Sequence, residues 1–175
     1  REVDIPMVIN GKEVRTGDKV SIHPPHELSH TLGHYHQGDE QHVRDAIKAA
    51  RDSFDSGVYA SWSMKDRCAL VEKVADLIKR DAEILASFET RDTGKRMVET
   101  RYDMADIEAT FRHFAALGLK LKDRKVDVGA DNISSVITHE AVGVCALIGP
   151  WNYPIFTPMG SISYALAAGN TVVLK

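Results

Sequence analysis

Val142-Gly143-Val144-Cys145-Ala146-Leu147-Ile148, then Gly149-Pro150-Trp151-Asn152-Tyr153-Pro154, and later Thr171-Val172-Val173-Leu174-Lys175 decide how this chain folds. The first segment is a continuous apolar run rich in β-branched residues, the pattern of a strand buried on both faces of a parallel sheet. After the proline-flanked loop, Thr157 and Pro158 suit the N-cap and N1 positions of a helix running through Ala168, with Gly169 at C′ to stop it. Thr171 to Lys175 then reads as a second strand. Strand, loop, helix, glycine turn and strand within about 34 residues form a βαβ unit with a right-handed crossover. A ligand crevice is expected at the carboxyl ends of the two strands, above Ile148 and Lys175.

Upstream, residues 120 to 125 are mostly basic, and VDVGADNISSVITHE alternates apolar with polar residues, which predicts a protruding hairpin. A helical pattern covers Met97 to Leu117, with Ile107, Phe111, Phe114 and Ala115 on its apolar face and Gly118 expected as its C-cap. The aromatic spacing of Tyr102, Phe111 and Phe114 suits core packing, and none of them is assigned to a ligand. Before the Thr93-Gly94 turn, Ser63 and Asp66 resemble a capping box. Cys68, Val71, Val74, Ala75, Ile78, Ile84, Leu85 and Phe88 then predict two helical segments, broken near Asp81 and reaching about Arg91. Asp39 caps a further amphipathic helix from Glu40 to Phe54, built on Val43, Ile47, Ala50 and Phe54 and ended by Gly57. His23 to Gly38 carries Pro24-Pro25 without periodicity and reads as an irregular connection, and residues 5 to 22 read as a small edge hairpin turning at Gly11-Lys12.

Composition narrows the function classes. The chain has 175 residues, 43% hydrophobic and 27% charged, which is ordinary globular usage. Lys and Arg number 22 against 25 Asp and Glu, a net charge of -3, so neither nucleic acid nor a membrane surface is an expected partner. No run reaches the ~18 apolar residues of a bilayer span, and the N-terminal residues lack the apolar stretch of a secretory signal. Cys68 and Cys145 lie far apart in apolar surroundings, which suits structural roles in a reducing, cytoplasmic setting. His23, His26, His30, His34 and His36 crowd one span, but their spacing matches no ligand pattern, and carboxylates or cysteines are not interleaved as a metal site would require. No metal is expected, and a solvated loop is.

The crevice loop is neither GxGxxG nor a P-loop, so phosphate cradling by glycine-rich backbone is not indicated. Its prolines stiffen the chain around Asn152. On local physics two readings stand: a rigid turn whose Asn satisfies backbone groups, or an amide preorganised to donate to a developing oxyanion.

IGPWNYP, followed at fixed distance by ALAAGNTVVLK, resembles the first half of the cofactor domain of the NAD(P)-dependent aldehyde dehydrogenase superfamily. Glu89-Thr90-Arg91-Asp92-Thr93-Gly94-Lys95 is similar to the family's E-T-x-D-x-G-K segment, and HEAVGVCALIGP to the strand leading into its site. The likeness spans about Ser61 to Lys175. It implies an α/β fold: N-terminal helical segments, the first βαβ unit of a Rossmann-like doubly wound sheet, and part of a β-hairpin oligomerisation arm. Residues 1–124 would be the N-terminal part of the cofactor-binding domain, 125–140 arm strands, and 141–175 the first βαβ unit.

The resemblance further implies oxidation of an aldehyde to a carboxylic acid, with hydride transfer to NAD or NADP through a cysteine thiohemiacetal. Asn152 would correspond to the oxyanion-hole asparagine and Lys175 to the lysine contacting the adenosine ribose. Ile148, Gly149, Pro150 and Trp151 would line the dinucleotide. A homodimer or homotetramer acting on a small-molecule aldehyde is implied. The N-terminal half resembles semialdehyde-oxidising members and the C-terminal half betaine-aldehyde-type members, with no residue deciding between them. The family's catalytic cysteine and glutamate have no counterpart in this chain, so it reads as the N-terminal piece of a longer enzyme. The competing class is a truncated, inactive dinucleotide-binding or oligomerisation module. Alone, the 175-residue chain is expected to aggregate and to oxidise no aldehyde, since positioning cannot replace a missing nucleophile and base. Reduced cofactor formed by the purified chain would refute this expectation.

Overall fold

A two-residue turn opens the architecture. In the computed structural model, which describes residues 2–175, Asn10 (φ 51°) and Gly11 (φ 71°) join strands β2 (Met7–Ile9) and β3 (Lys12–Val14). Both residues adopt the left-handed conformation that such hairpin turns need, so the turn is Asn10-Gly11 rather than Gly11-Lys12. The flanking strands β1 (Val3–Ile5) and β4 (Lys19–Ile22) leave this hairpin and join β5 (Gly33–His36) in a separate sheet of order β1-β5-β4. That strand lies inside the segment expected to be irregular. It pairs parallel to β1 and antiparallel to β4, so neighbours distant in sequence dictate its extended form. Gly33 is required there, because a side chain would run into the Val3 backbone oxygen.

His36 is buried, and its Nδ1 accepts the Thr16 N–H at 2.8 Å, while its Nε2 lies 3.2 Å from the Asp4 carboxylate. Lys19 Nζ approaches Asp4 at 3.0 Å and Arg15 also pairs with it. Hydrogen bonds from Lys19 first and His36 second hold the Asp4 pKa down at about 2. The stabilisation is therefore full above the ordinary aspartate value of 3.8 and is lost as pH falls through about 2. Carboxyl-carbon NMR is expected to show Asp4 titrating near that low value. A midpoint at the ordinary value would show that these contacts do not form in solution.

Helix α1 (Glu40–Asp55) begins as expected at Asp39, whose carboxylate accepts the His42 N–H at 3.1 Å, and Gly57 follows its end with φ 72°. Val43 and Ile47 on its apolar stripe remain exposed. Helix α2 (Met64–Thr93) starts at Ser63 and runs unbroken past Asp81. No glycine or proline interrupts it, and Asp81 turns outward to Arg80, so its backbone ladder continues. Over that length the helical period carries the buried stripe through Cys68, Val71, Ala75, Ile78, Ala86 and Glu89. Ile84 and Phe88 fall outside it and are exposed. Gly94 (φ 76°) ends the helix, its N–H donating to the Thr90 carbonyl at 3.0 Å.

Helix α3 (Met97–Lys120) packs antiparallel on α2, with Arg101 paired to Glu83 near one end and Arg112 to Glu72 near the other. Gly118 does not end this helix. A Cβ there would lie 2.7 Å from Cys68 Sγ, so the glycine serves the close approach of the two helices. Phe111, Met104, Ile107 and Ala115 fill the core opposite Val71, Ala75 and Ile78.

Strands β6 (Arg124–Val126) and β7 (Ser135–Ile137) form the expected hairpin. Then β8 (Val144–Leu147), α4 (Phe156–Ala167) and β9 (Thr171–Leu174) complete the βαβ unit, with the two strands parallel and Val144 opposite Thr171. The helix starts at Ile155, earlier than the expected N-cap Thr157. Pro158 then sits in the first turn, where an N–H has no intrahelical partner to lose. Gly169 follows its end with φ 92°. The strands are only half buried, and Ala146, Ile148 and Leu174 are exposed, because α1 and α4 pack on a sheet of just two strands. No helix among the described residues is long and apolar enough to cross a membrane.

Candidate active site

The ladder between the two strands continues past their ends. Lys175 N–H donates to the Leu147 carbonyl at 2.8 Å, and Gly149 N–H donates to the Lys175 carbonyl at 3.0 Å. This pins the start of the Gly149–Pro154 loop to the end of β9. Gly149 also lies against the first turn of α4, where a Cβ would come 3.2 Å from Pro158 Cδ. The loop therefore leaves the sheet in a defined direction, stiffened by Pro150 and Pro154. Ile148 (76% exposed) and Trp151 (93% exposed) display apolar surface at the strand ends, and Pro150, Asn152 and Lys175 are exposed beside them in sequence and pairing.

On the opposite side of the unit, Asn170 secures the second strand. It is buried, accepts the Gly143 N–H on Oδ1 at 3.0 Å and donates through Nδ2 to the Ala165 carbonyl at 3.2 Å. Thr171 Oγ1 donates to the Ala50 carbonyl at 2.9 Å, which ties α1 to the sheet. Arg67 Nε (3.2 Å) and Tyr59 Oη (2.8 Å) donate to the carbonyls of Ala167 and Leu166 at the end of α4. Sequence reading used Asn170 only as part of a motif, although an amide directly after a helix-stopping glycine is a residue type that can satisfy loop backbone.

A second group meets the loop from the helical layer. Tyr153 presents its ring to Lys95, whose Nζ lies 3.7 Å from the ring centroid, and it also packs near Phe156. Lys95 Nζ is 3.0 Å from Glu89 Oε1 and 2.6 Å from Asp103 Oδ2. The Glu89 side chain is fully buried, and its Oε2 has no hydrogen-bond partner. Burial pushes the Glu89 carboxyl up, against the opposing pull of Lys95. Burial pulls Lys95 down, but its hydrogen bonds to Asp103 and Glu89 outweigh this and raise it. Thr93 Oγ1 donates to the Glu89 carbonyl at 2.7 Å and accepts the Lys95 N–H at 3.2 Å, which shapes the turn. Sequence reading recognised this segment without locating it. The available signal was a glutamate on the apolar stripe of α2.

The cysteines are elsewhere. Cys68 lies in the helical core, where burial pushes its thiol pKa up, the opposite of nucleophile activation. Cys145 is half buried within β8, opposite Val172. Of the clustered histidines, His34 and His36 stand on β5 rather than in a loop, and His36 is committed to Thr16 and Asp4. No group of three metal-ligating side chains occurs among the described residues.

Residues 13–175 match the model of the aldehyde dehydrogenase family. The chain belongs to this family. A betaine aldehyde dehydrogenase of Bacillus subtilis is 42% identical over 139 residues, covering 79% of the chain and 28% of that relative. Retinaldehyde dehydrogenase 3 of Rattus norvegicus is 36% identical over 167 residues, covering 93% and 32%. A crystal structure of betaine aldehyde dehydrogenase from Staphylococcus aureus in complex with NAD+ superposes with a TM-score of 0.92 at 34% identity, covering 95% of this chain and 33% of that one. The NAD-dependent aldehyde dehydrogenase of Sinorhizobium meliloti gives 0.95 at 28% identity, covering 99% and 35%. This aldehyde dehydrogenase chain thus spans about a third of the length of the relatives it matches.

Proposed function

We propose that the protein carrying this chain oxidises a small-molecule aldehyde to the carboxylic acid, with NAD or NADP as the hydride acceptor. The observation that carries this reading is the stiffened loop holding exposed Asn152 at the carboxyl ends of β8 and β9. Crevices at that end of parallel strands are where ligands bind in open α/β sheets. The surface there fits a dinucleotide: Ile148 and Trp151 offer apolar faces to its rings and Lys175 a donor to its ribose hydroxyls, with Gly149 and Pro150 lining the approach. When bound, the cofactor accepts the hydride released by the substrate carbon.

In this reading Asn152 donates its side-chain N–H to the aldehyde oxygen as negative charge develops there, and the fixed loop spares the reorganisation that a free amide would need. The attacking thiolate and the base for hydrolysis are assigned to polypeptide beyond these residues, since Cys68 and Cys145 are both built into packed elements. Residues 1–124 and 141–175 would serve the cofactor-binding domain, and residues 125–140, which hold all but the first residue of the β6–β7 hairpin, would serve assembly of a cytoplasmic homodimer or homotetramer. The decisive experiment follows reduced cofactor formation by the complete protein with betaine aldehyde, retinaldehyde and a simple aliphatic aldehyde, using NAD and NADP in turn. Turnover of at least one aldehyde is expected. Cofactor binding without acid formation from any of them would favour the inactive-module reading.

A further inference from the structure

We propose that Lys95, braced between Glu89 and Asp103, is a positioning residue that fixes the Asn152 loop through the Tyr153 ring. The proposal rests on the oxyanion reading of Asn152. Glu89 belongs to α2, Asp103 to α3 and Lys95 to the turn between them, so three elements of the helical layer converge on one ammonium group. Both carboxylates lie within hydrogen-bond distance of Nζ, at 3.0 and 2.6 Å, and the lysine side chain is only 18% exposed. A lysine normally retains several rotatable bonds, but two charge-assisted bonds in a dehydrated site remove that freedom. The third direction of the ammonium faces the Tyr153 ring at 3.7 Å. Cation–π attraction strengthens where the cation is shielded from water, so the ring is held by a partner that itself cannot move.

Tyr153 is the residue after Asn152, and it is otherwise partly exposed. Seating its ring sets the loop backbone on one side of Asn152, while the Gly149–Lys175 hydrogen bond sets it on the other. The buried Glu89 is explained by the same arrangement. A carboxylate inside a helical core opposes folding unless it holds a cation, and here it holds the cation on which the loop rests.

The test uses steady-state kinetics of the complete enzyme. Lys95→Met alone would leave the fully buried Glu89 carboxylate without its cation, so it is paired with Glu89→Gln, and the pair is made in both the wild-type and the Tyr153→Leu backgrounds. In the wild-type background the pair is expected to lower kcat about tenfold, with the cofactor KM nearly unchanged, because only the transition-state donor is misplaced. In the Tyr153→Leu background the same pair is expected to have no further effect on kcat, and Lys95→Arg to retain most of the wild-type turnover. Equal losses in the two backgrounds, or a lowered Tm with wild-type kcat, overturn the proposal. Should the pair not fold, Tyr153→Leu leaves the buried charges in place and decides: wild-type turnover overturns the proposal. Asn152→Ala separates the two levels of the argument. If it lowers kcat while the Lys95 variants do not, only the positioning role fails. If it leaves kcat intact, the oxyanion reading fails and the positioning role with it.

Discussion

Replacing Asn152 with Ala in the complete enzyme is expected to lower turnover by about 10²-fold to 10³-fold, the usual loss for one oxyanion donor, and to leave the cofactor KM close to wild type. In the proposed role the donor meets a charged oxygen only as the thiolate adds, so its removal is expected to raise the barrier without weakening ground-state binding. The loop suits this role because its geometry is paid for during folding: Gly149 is bonded to Lys175, prolines flank Asn152 and Tyr153 is seated on Lys95. Lys175→Ala is expected to behave in the opposite way. Its exposed side chain stands at the end of β9, and the proposed ribose contact, remote from the reacting carbon, would bind ground and transition states about equally. The cofactor KM is expected to rise while kcat stays near wild type. Initial rates at saturating and subsaturating cofactor separate the two outcomes. If Asn152→Ala altered cofactor KM alone, the loop would be a rigid turn and nothing more.

Phe111→Ala is expected to lower the stability of the helical layer by about 3–5 kcal/mol, the range for truncating a buried aromatic residue. Phe111 is 0% exposed and sits within the buried cluster formed by α2, α3 and Ala167 of α4. Nothing can flow into the space it would leave, because neighbours such as Val71, Ala75 and Ile107 are held on helices. Phe114, three residues further on, lies at the edge against Tyr164, and its replacement should have a smaller effect. Urea unfolding followed by far-ultraviolet circular dichroism measures both. A loss for Phe111→Ala no greater than that for Phe114→Ala would contradict this packing.

Several elements were legible because their signals are local. Asp39 and Ser63 mark helix starts through bonds to backbone groups three residues on, and Gly94 and Gly169 mark ends through φ values that other residues avoid. The βαβ unit was legible for a similar reason: its apolar runs, stiff loop and glycine stop lie within one stretch of chain. The motif residues of the loop were also identified from sequence, as was their resemblance to the aldehyde dehydrogenase family.

Where the reading failed, the deciding partner lay far away in sequence. Strand β5 has no apolar alternation and is extended because β1 and β4 flank it. Gly118 resembles a helix stop, yet the chain continues through it because Cys68 of the neighbouring helix occupies the space a side chain would need. The exposure of β8 and β9 depends on how many strands lie beside them, which no apolar run records. Residue types and local backbone preferences were therefore enough to place Asn152 on a stiff loop after a parallel strand. Only tertiary packing could bring Glu89, Lys95 and Asp103 under Tyr153, because that contact joins two helices and a loop whose sequence spacing carries no trace of their meeting.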